Sequence, residues 1–549
     1  MQLEMIDLLI VAGYAVILLG IALVVSREPA GHNKNTEDYF LAGKSLPWWA
    51  IGASLIAANI SAEQIIGMAG SGFAMGLAIA SYEWMAAITL VIVGKFFLPI
   101  FLKRGIYTMP QFLESRFGPT VKYVMSVFWL ILYTVVNLTT VMWLGATAIN
   151  TLTGLDMFYG MLALGAFAAA YSLYGGLKAV AMTDIIQVVM LIGGGLLITW
   201  LALGQVAPSG NPVEGFAVLA DDLPQKFNMI FSKENFFYND LPGIGVLLGG
   251  MWIMNLSYWG FNQYIIQRAL GAKSIQEAQR GVLFAGYLKL LVPFIVVIPG
   301  IAAFYLQPDL ACPGTELLVD PASYQATCAA AADGAAVSPS FDRAYPTMMA
   351  LAPVGIRGLI FAALIAAIVS SLASMINSIS TIFTMDLVRP LIARDATEKT
   401  LVTVGRVVSF VALLIALFLA TPLLGNSPQV FQNIQNWTGL FTPGITALFF
   451  LGMFWKRATE IGALAAVIGS VLLSLFWPKL FPGMPFMDRV GIVFLIAMAI
   501  GVVVSYLQKP QSEEKVVDLR GISFRTGPIF NFASIAIIVI LCGLYGIWW

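Results

Sequence analysis

Charged residues, histidine and cysteine are all scarce in this sequence. Asp, Glu, Lys and Arg make up only 11% of the 549 residues, against about 25% in soluble proteins, and the 29 acidic and 29 basic residues cancel. A single histidine and three cysteines are too few for a catalytic metal site with Cys/His ligands. No nucleophile with a base and no paired acids at one depth are visible either. We therefore expect no enzyme and no nucleic-acid partner.

Long apolar runs dominate instead. Hydrophobic residues make up 59% of the chain, and the mean hydropathy is +0.87. Runs of about 20 apolar residues, the length that crosses a bilayer as a helix, predict an all-α integral membrane protein with about fourteen spans. The predicted spans are 6–26, 49–73, 79–102, 119–149, 157–174, 181–205, 244–268, 278–306, 354–386, 401–421, 429–455, 459–477, 486–507 and 530–548.

Positive charge is unevenly divided between the two sides of these spans. With the N-terminus outside, 21 of the 29 basic residues fall on one face and six on the other, while Lys95 and Lys289 lie within spans. Because cytoplasmic loops are enriched in Lys and Arg, we predict a cell (inner) membrane protein with both termini outside. Cys312 and Cys328 then share an outer loop, where a disulfide and two free thiols are both open. Cys542, in the last span, is expected to pack.

Two of the apolar spans are interrupted by polar residues and glycines. The first interruption covers 57–67 and the second covers 249–263. Irregular backbone is tolerated inside a membrane only where it lines a cavity or binds something, and paired interruptions in two halves of a chain indicate a transporter's binding site. Spans two to six and seven to eleven form two groups of five, and an interrupted span opens each group from opposite sides. This arrangement predicts an inverted repeat.

The two groups of five spans divide the chain into five regions. The predicted boundaries are 1–48 for an extra N-terminal transmembrane helix and a cytoplasmic loop, 49–205 for the first five-helix repeat, 206–243 for an outer loop, 244–455 for the second, inverted repeat with its outer loop 307–353, and 456–549 for three peripheral transmembrane helices. The polar stretches between spans are too short for an independent ATPase or kinase domain.

Three motifs resemble the sodium:solute symporter family, and within it the bacterial sugar transporters. They are Thr36-Glu37-Asp38-Tyr39-Phe40-Leu41-Ala42-Gly43, Tyr174-Gly175-Gly176-Leu177-Lys178-Ala179-Val180 with Thr183-Asp184, and Gly260-Phe261-Asn262-Gln263-Tyr264-Ile265-Ile266-Gln267-Arg268. The motifs occur in the family's order, and the similarity runs over nearly the whole chain. The resemblance implies a leucine-transporter-type fold, a five-plus-five inverted repeat with a discontinuous first helix in each repeat. It also implies sodium as the coupling ion.

A sugar presents hydroxyls that both donate and accept hydrogen bonds, so its pocket needs amides, charged groups and one flat apolar face. By resemblance, the family's sugar-binding positions are Gln64, Glu83, Asn255, Lys289 and Gln435. Resemblance also assigns Asn59 to support of the broken helix, and Tyr258, beside Trp259, to stacking on the sugar and closing its inner side. Interhelical hydrogen bonding is the alternative for the three amides Gln64, Asn255 and Gln435. Lys289 and Glu83 would each cost at least about 2.5 kcal/mol if unpaired within a membrane, which argues against a purely structural role.

A sodium ion prefers five or six oxygen ligands, which carbonyls and hydroxyls can supply. An unwound helix frees backbone carbonyls, and residues at i, i+3 and i+4 share one helix face. The residues that combine these features, and that match the family's sodium site one for one, are Ala57, Ile60 and Ala367 with their carbonyls and Ser370 and Ser371 with their hydroxyls. A packing face of small residues is the alternative for the two serines.

Asp184 is a further acid within the apolar spans, near the cytoplasmic start of span six. By resemblance it lies on the sodium exit path, where Ser374 could contribute to a second sodium site. Because the adjacent Ala373 offers no hydroxyl, we favour one sodium. The alternative is an acid that stabilises the N-terminus of a helix.

These features predict a sodium-coupled secondary active symporter that imports a hexose of the galactose or glucose type by alternating access. Myo-inositol or a sialic acid is the alternative solute, and Lys289 would also suit an anion. A galactose-transporting relative has a serine three residues after the Glu83 position, whereas this chain has Ala86, so the exact hexose stays open. A channel would need a continuous polar stripe, but the polar residues cluster near the midplane of the spans. The expected partners are a small-molecule sugar, sodium and the lipid bilayer, and the oligomeric state stays open.

Overall fold

The protein is described here by a computed structural model. It covers residues 3–25, 42–106, 108–310, 341–425, 427 and 429–549, although side chains are not described throughout these ranges. Across these ranges the regular secondary structure is helical, and the one β-type contact is an isolated bridge between Leu46 and Ala272. Cys312 and Cys328 lie outside the described residues, as does most of the motif that begins at Thr36. The pairing of the two cysteines and the role of the motif stay predictions.

The N-terminal half contains eleven α-helices in the described residues. They are α1 (Met5–Val25), α2 (Trp48–Asn59), α3 (Ala69–Met75), α4 (Ser81–Ile92), α5 (Leu98–Arg104), α6 (Met109–Arg116), α7 (Pro119–Ile131), α8 (Thr139–Thr153), α9 (Met157–Val206), α10 (Pro212–Asp222) and α11 (Pro224–Phe227). Three π-helical segments continue them: Glu63–Met68 precedes α3, Val93–Phe97 joins α4 to α5, and Leu132–Leu138 joins α7 to α8.

The C-terminal half contains a further thirteen α-helices among the residues that the structure describes. They are α12 (Ile244–Leu248), α13 (Gly250–Leu256), α14 (Gln263–Leu270), α15 (Ile275–Leu306), α16 (Ala344–Met349), α17 (Ile356–Thr381), α18 (Arg389–Leu391), α19 (Glu398–Leu424), α20 (Val430–Thr438), α21 (Thr442–Phe454), α22 (Glu460–Leu480), α23 (Phe486–Tyr506) and α24 (Pro528–Ile547). The π-helical segments Ser257–Phe261 and Ile382–Val388 follow α13 and α17.

By length and composition, nine helical stretches of the described chain are able to cross a membrane, or eleven if two bent pairs each count as one. The protein is thus an all-helical, multi-pass membrane protein, whereas the number fourteen stays a prediction. One stretch of 42 residues, Glu63–Arg104, runs through two predicted spans. It changes course at Gly76, whose φ of 79° favours glycine and whose added Cβ would lie 2.2 Å from Lys226 O.

The structure differs from the sequence prediction at 157–205. Two spans with a loop between them were predicted, but α9 is one helix of 50 residues. The connecting residues contain no proline, so no backbone donor is lost and the helical hydrogen bonds continue. As a result Asp184 lies well inside α9 instead of near the start of a separate helix. Its interpretation as a helix N-terminal acid is therefore wrong.

The helices that carry the candidate residues pack directly on one another. α15 lies against α2, α3 and α4, and α17 lies against α9 and α2. The approach of α2 to α15 depends on two glycines: a Cβ on Gly52 would lie 2.8 Å from Gly281 O, and one on Gly281 would lie 2.7 Å from Ile51 Cγ2. Small residues of this kind let backbones approach closely in membranes. The close contact brings Lys289 on α15 next to the interruption that follows α2.

Candidate functional site

The first interruption lies between Asn59, where α2 ends, and Glu63, where helix resumes. Ile60 has φ −73° and ψ 80°, which lie outside the helical region. The amide of Ser61 would bond to Ala57 O in a continuous helix, but it donates to Asn59 O at 2.8 Å. The Ala57 carbonyl therefore lacks its ordinary helical donor from Ser61. This is the local change that an ion site of carbonyl oxygens requires.

The second interruption has two parts. The chain bends by 79° at Gly249, between the helical stretches Phe236–Leu248 and Gly250–Phe261. It then becomes extended at Asn262, with φ −79° and ψ 122°. Tyr133 satisfies the polar groups at this point, since its hydroxyl donates to Asn262 Oδ1 at 2.8 Å and accepts from the Gln263 amide at 3.0 Å. A side chain of π-helix Leu132–Leu138 thus replaces the helical bonds that the extended residue removes.

A polar cavity lies between the two interruptions. Seven of the eight predicted substrate-binding residues line it: Asn59, Gln64, Glu83, Asn255, Tyr258, Trp259 and Gln435. Its aromatic and apolar wall includes Trp129, Phe431 and Ile445. A lining that combines polar groups with flat apolar groups matches the needs of a polyhydroxylated solute.

Lys289, the eighth residue, does not itself line the cavity. It is fully buried behind the lining residues, where its ammonium bonds Glu83 Oε2 and Asn59 Oδ1. Its Nζ also lies 5.0 Å from the centre of the Trp259 ring, a cation–π distance. The ammonium therefore neutralises Glu83 and orients the Asn59 amide, so the cavity presents no net charge from this pair.

Tyr258 closes the same network from the second interrupted helix. Its hydroxyl accepts from Asn59 Nδ2 at 3.1 Å and from the Tyr264 hydroxyl at 3.0 Å. Its ring packs at 76° to that of Trp259, with centroids 5.2 Å apart. One chain of contacts thus runs from α15 through the first interruption to the second.

The amides Gln64, Asn255 and Gln435 are less constrained. Asn255 donates from Nδ2 to Met251 O on its own helix at 3.2 Å, and Gln64 Oε1 is buried without a hydrogen-bond partner among the described residues. Gln435 is half-buried on α20. None of these contacts is a hydrogen bond between helices, and all three residues line the cavity.

The five predicted sodium ligands are brought together by α2 and α17. Ala57, Ile60, Ala367, Ser370 and Ser371 are all fully buried. Ser371 Oγ lies 3.5 Å from Ala58 O, and Ser370 Oγ donates to Asp184 Oδ1 at 2.6 Å. Because a hydroxyl that donates one bond keeps two lone pairs, Ser370 can still serve as an oxygen ligand.

Arg268, which bonds Ser374 one turn beyond Ser370, is the main feature that the sequence prediction missed. Arg268 was counted among the cytoplasmic loop cations, but only 1% of it is exposed. Its Nε donates to Ser54 Oγ at 2.7 Å and its Nη2 to Ser374 Oγ at 2.8 Å, and Nη2 lies 3.7 Å from Asp184 Oδ2. Ser54 also donates to Asp184 Oδ2 at 2.5 Å. No sequence spacing relates these four residues, because they lie on four different helices.

Further cavity residues were also missed, among them two acidic or phenolic side chains and one amide. Glu63, Tyr82 and Asn262 line the cavity with the predicted set. Glu63 and Tyr82 directly precede the predicted residues Gln64 and Glu83. Their adjacency in the sequence was the signal that could have identified them as cavity residues. The prediction named only Gln64 and Glu83 because the resemblance assigned those two, and adjacent helical residues ordinarily point about 100° apart.

The chain is similar over its whole length to proteins whose family is known. The sequence model of the sodium:solute symporter family matches residues 39–470. A sodium/glucose cotransporter of Vibrio parahaemolyticus is 49% identical over 548 residues, which are 100% of this chain and 99% of that protein. The human sodium/myo-inositol cotransporter 2 is 36% identical over 80% of this chain and 65% of its own.

A solved structure shares the fold. It is a sodium-coupled sialic acid symporter in a substrate-bound outward-open state, with a TM-score of 0.76 and 23% identity. The match covers 93% of this chain and 99% of that one. At this identity the match establishes the fold alone.

Proposed function

The chain belongs to the sodium:solute symporter family, and on that premise we propose that it carries one hexose of the galactose or glucose type inward with one sodium ion. Transport proceeds by alternating access around the cavity between the two interrupted helices. The observation that carries the proposal is the buried Lys289–Glu83 pair, whose Glu83 lines a polar cavity together with Asn59 and Tyr258. The 49% identical Vibrio protein, named a sodium/glucose cotransporter, supports the choice of sugar.

We propose the detailed architecture on the same basis. Fourteen apolar segments cross the membrane, with Met157–Ala170 and Ala181–Val206 of α9 counted as two. Both termini lie outside the cell, and 49–205 and 244–455 form two inverted repeats. The positions of the two interruptions, at Ile60 and at Gly249–Asn262, support this division because each opens one repeat. The regions 1–48 and 456–549 are peripheral to the repeats.

The charge of the cavity favours a neutral solute. The Lys289 ammonium would attract an anion if it were free, but Glu83 and Asn59 occupy two of its three N–H donors and Glu83 neutralises its charge. A sialic acid carboxylate would have to compete with Glu83 for the ammonium and would lie close to that carboxylate, a like-charge contact. Myo-inositol, a neutral polyol, remains the second candidate solute, supported by the 36% identical human protein.

We propose that sodium binds the carbonyls of Ala57, Ile60 and Ala367 and the hydroxyls of Ser370 and Ser371. Burial of all five residues and the 3.5 Å approach of α17 to α2 support this site. The first interrupted helix supplies two of these ligands and continues to Gln64, so ordering by sodium reaches the sugar site. The coupling is reciprocal, and a coupling free energy of about 1–3 kcal/mol is typical.

A single sodium is favoured by the surroundings of Asp184. A second cation there would use Asp184 and Ser374, but the Arg268 guanidinium already contacts both side chains. Adding a sodium ion would place two positive charges at one carboxylate. Asp184 then lies on the exit path of the one sodium, because Ser370 is both a proposed sodium ligand and a hydrogen-bond donor to Asp184.

Uptake into proteoliposomes tests this function. With a sodium gradient directed inward, radiolabelled glucose or galactose should accumulate above its external concentration, and unlabelled hexoses should compete better than myo-inositol or sialic acid. Because one sodium with a neutral sugar carries net charge, an inside-negative potential should increase accumulation, with about 2.3 kcal/mol available per 100 mV. Accumulation that needs sodium but ignores voltage would contradict the one-sodium scheme, and stronger competition by myo-inositol would replace the hexose.

A further inference from the structure

Glu63 is a buried carboxyl at the cavity that the proposed function does not use. It is the first residue after the first interruption and begins the π-helical segment Glu63–Met68. It lines the cavity beside Gln64, and only 6% of it is exposed. Within the described parts of the chain, its Oε1 has no hydrogen-bond partner.

Several of the neighbouring polar groups are already engaged with one another. The Lys289 ammonium bonds Glu83 and Asn59, and no ion pair to Glu63 occurs in the portion of the chain that the structure describes. The Tyr264 hydroxyl donates to Tyr258, which also accepts from Asn59. Buried polar groups are nearly always paired, so an unpaired carboxyl oxygen on a residue that lines the cavity points to a ligand that supplies the donor.

We propose that Glu63 is a further substrate-binding residue, whose carboxyl oxygen accepts a hydrogen bond from one hydroxyl of the bound polyol. The proposal rests on the proposed function, because it takes a neutral polyhydroxylated solute as the occupant of the cavity. A hydroxyl is the suitable partner, since it donates a proton without bringing charge. Glu63 thereby makes the site select for a sugar that carries a hydroxyl at that position.

The expected selectivity follows from the chemistry of the contact. Leaving a buried polar group without its hydrogen-bond partner carries a cost that corresponds to about 10- to 100-fold in affinity. A site built to bond a hydroxyl also rejects the deoxy analogue strongly, because its own polar group is then left unpaired. One mono-deoxy hexose should therefore bind to the wild-type protein about 10- to 100-fold more weakly than the parent sugar.

The test is a cycle that combines Glu63 variants with deoxy sugars. Equilibrium binding of glucose, galactose and each of their mono-deoxy analogues is measured in saturating sodium on the full-length wild type, Glu63→Ala and Glu63→Gln. For one analogue, the wild-type penalty should largely disappear in Glu63→Ala, because the hydroxyl no longer has its acceptor. Glu63→Gln keeps the size of the side chain and a carbonyl oxygen, so it should retain part of the penalty.

Ser71→Ala is the matched control on the same interrupted helix. Ser71 is fully buried, bonds Gly67 O at 3.2 Å and is absent from the cavity wall. The control should keep every wild-type deoxy penalty. Sodium binding without sugar is measured for each variant as well, and we expect the Glu63 variants to retain it.

Three results would overturn the inference in distinguishable ways. If the wild-type protein binds no hexose, both the proposed function and the role of Glu63 fail. If it binds hexose but all deoxy penalties persist in the Glu63 variants, only the role of Glu63 fails. If the variants instead lose sodium binding in the absence of sugar while the penalties persist, Glu63 is a cation ligand and the sugar contact is excluded.

Discussion

Replacing Lys289 with methionine should destabilise the protein and abolish sugar binding together. The lysine is fully buried and its ammonium bonds both Glu83 and Asn59. Methionine has nearly the same length but removes the charge, so Glu83 is left buried without its partner. Removing one member of a buried ion pair costs about 3–5 kcal/mol. Since 1.4 kcal/mol is a factor of ten, the folded-to-unfolded ratio should fall by at least about 100-fold.

A second substitution separates stability from binding. In Lys289→Met/Glu83→Gln both charges are gone, so most of the lost stability should return, because replacing a whole buried pair is often neutral. Sugar binding should stay weak, since the network that orients Asn59 is not restored. Chemical unfolding in detergent and equilibrium binding of sugar measure the two effects separately.

Lys95→Met provides the control for removing a cation from an apolar span. Lys95 is only partly buried, and its Nζ lies 5.6 Å from the Phe96 ring. It should change stability by less than about 1 kcal/mol. The reasoning is refuted if Lys289→Met is as stable as the wild type, or if the double variant is no more stable than the single one.

Three further predictions concern the ion site, the aromatic closure and the outer loop. Ser370→Ala/Ser371→Ala removes two of the five proposed ligands and should abolish the sodium dependence of uptake. Ser378→Ala, on the same face of the buried helix α17 but outside the ligand set, should retain it. An unchanged sodium dependence in the double variant would place the ion elsewhere. Tyr258→Phe removes the hydroxyl that accepts two hydrogen bonds. It should weaken sugar binding by about 1–3 kcal/mol and sodium binding by less, which titration with each ligand measures. Equal losses would indicate general damage to that helix. Burial lowers the pKa of Lys226, in the predicted outer loop, to about 7 from 10.5. The unfolded chain therefore binds more protons between these two pH values, so the free energy of unfolding should rise with pH from about 7 upward. Lys226→Met should lose this part of the slope, and an equal slope in both proteins would contradict the assignment.

The sequence by itself determined the class of the protein and predicted the location of its candidate site. Long apolar runs with few charges dictate a helical membrane protein, because every backbone polar group must be satisfied inside a bilayer. The same rule made the polar, glycine-containing stretches around Asn59 and Asn255 conspicuous. Intramembrane Glu83 and Lys289 were conspicuous for a related reason, since isolated charges are costly there. These signals are local, so they survive without knowledge of the fold.

Only the tertiary structure decided which of these groups meet. Glu83 and Lys289 are 206 residues apart, and no local rule distinguishes an ammonium that faces the sugar from one that pairs behind the cavity wall. The burial of Arg268 against Asp184 likewise depends on helix packing, and it places a residue assigned to the cytoplasmic face next to the proposed ion site. The continuity of α9 was also beyond the sequence, because two glycines weaken a helix without ending it. Local chemistry sets what each residue can do, whereas long-range packing selects its partner.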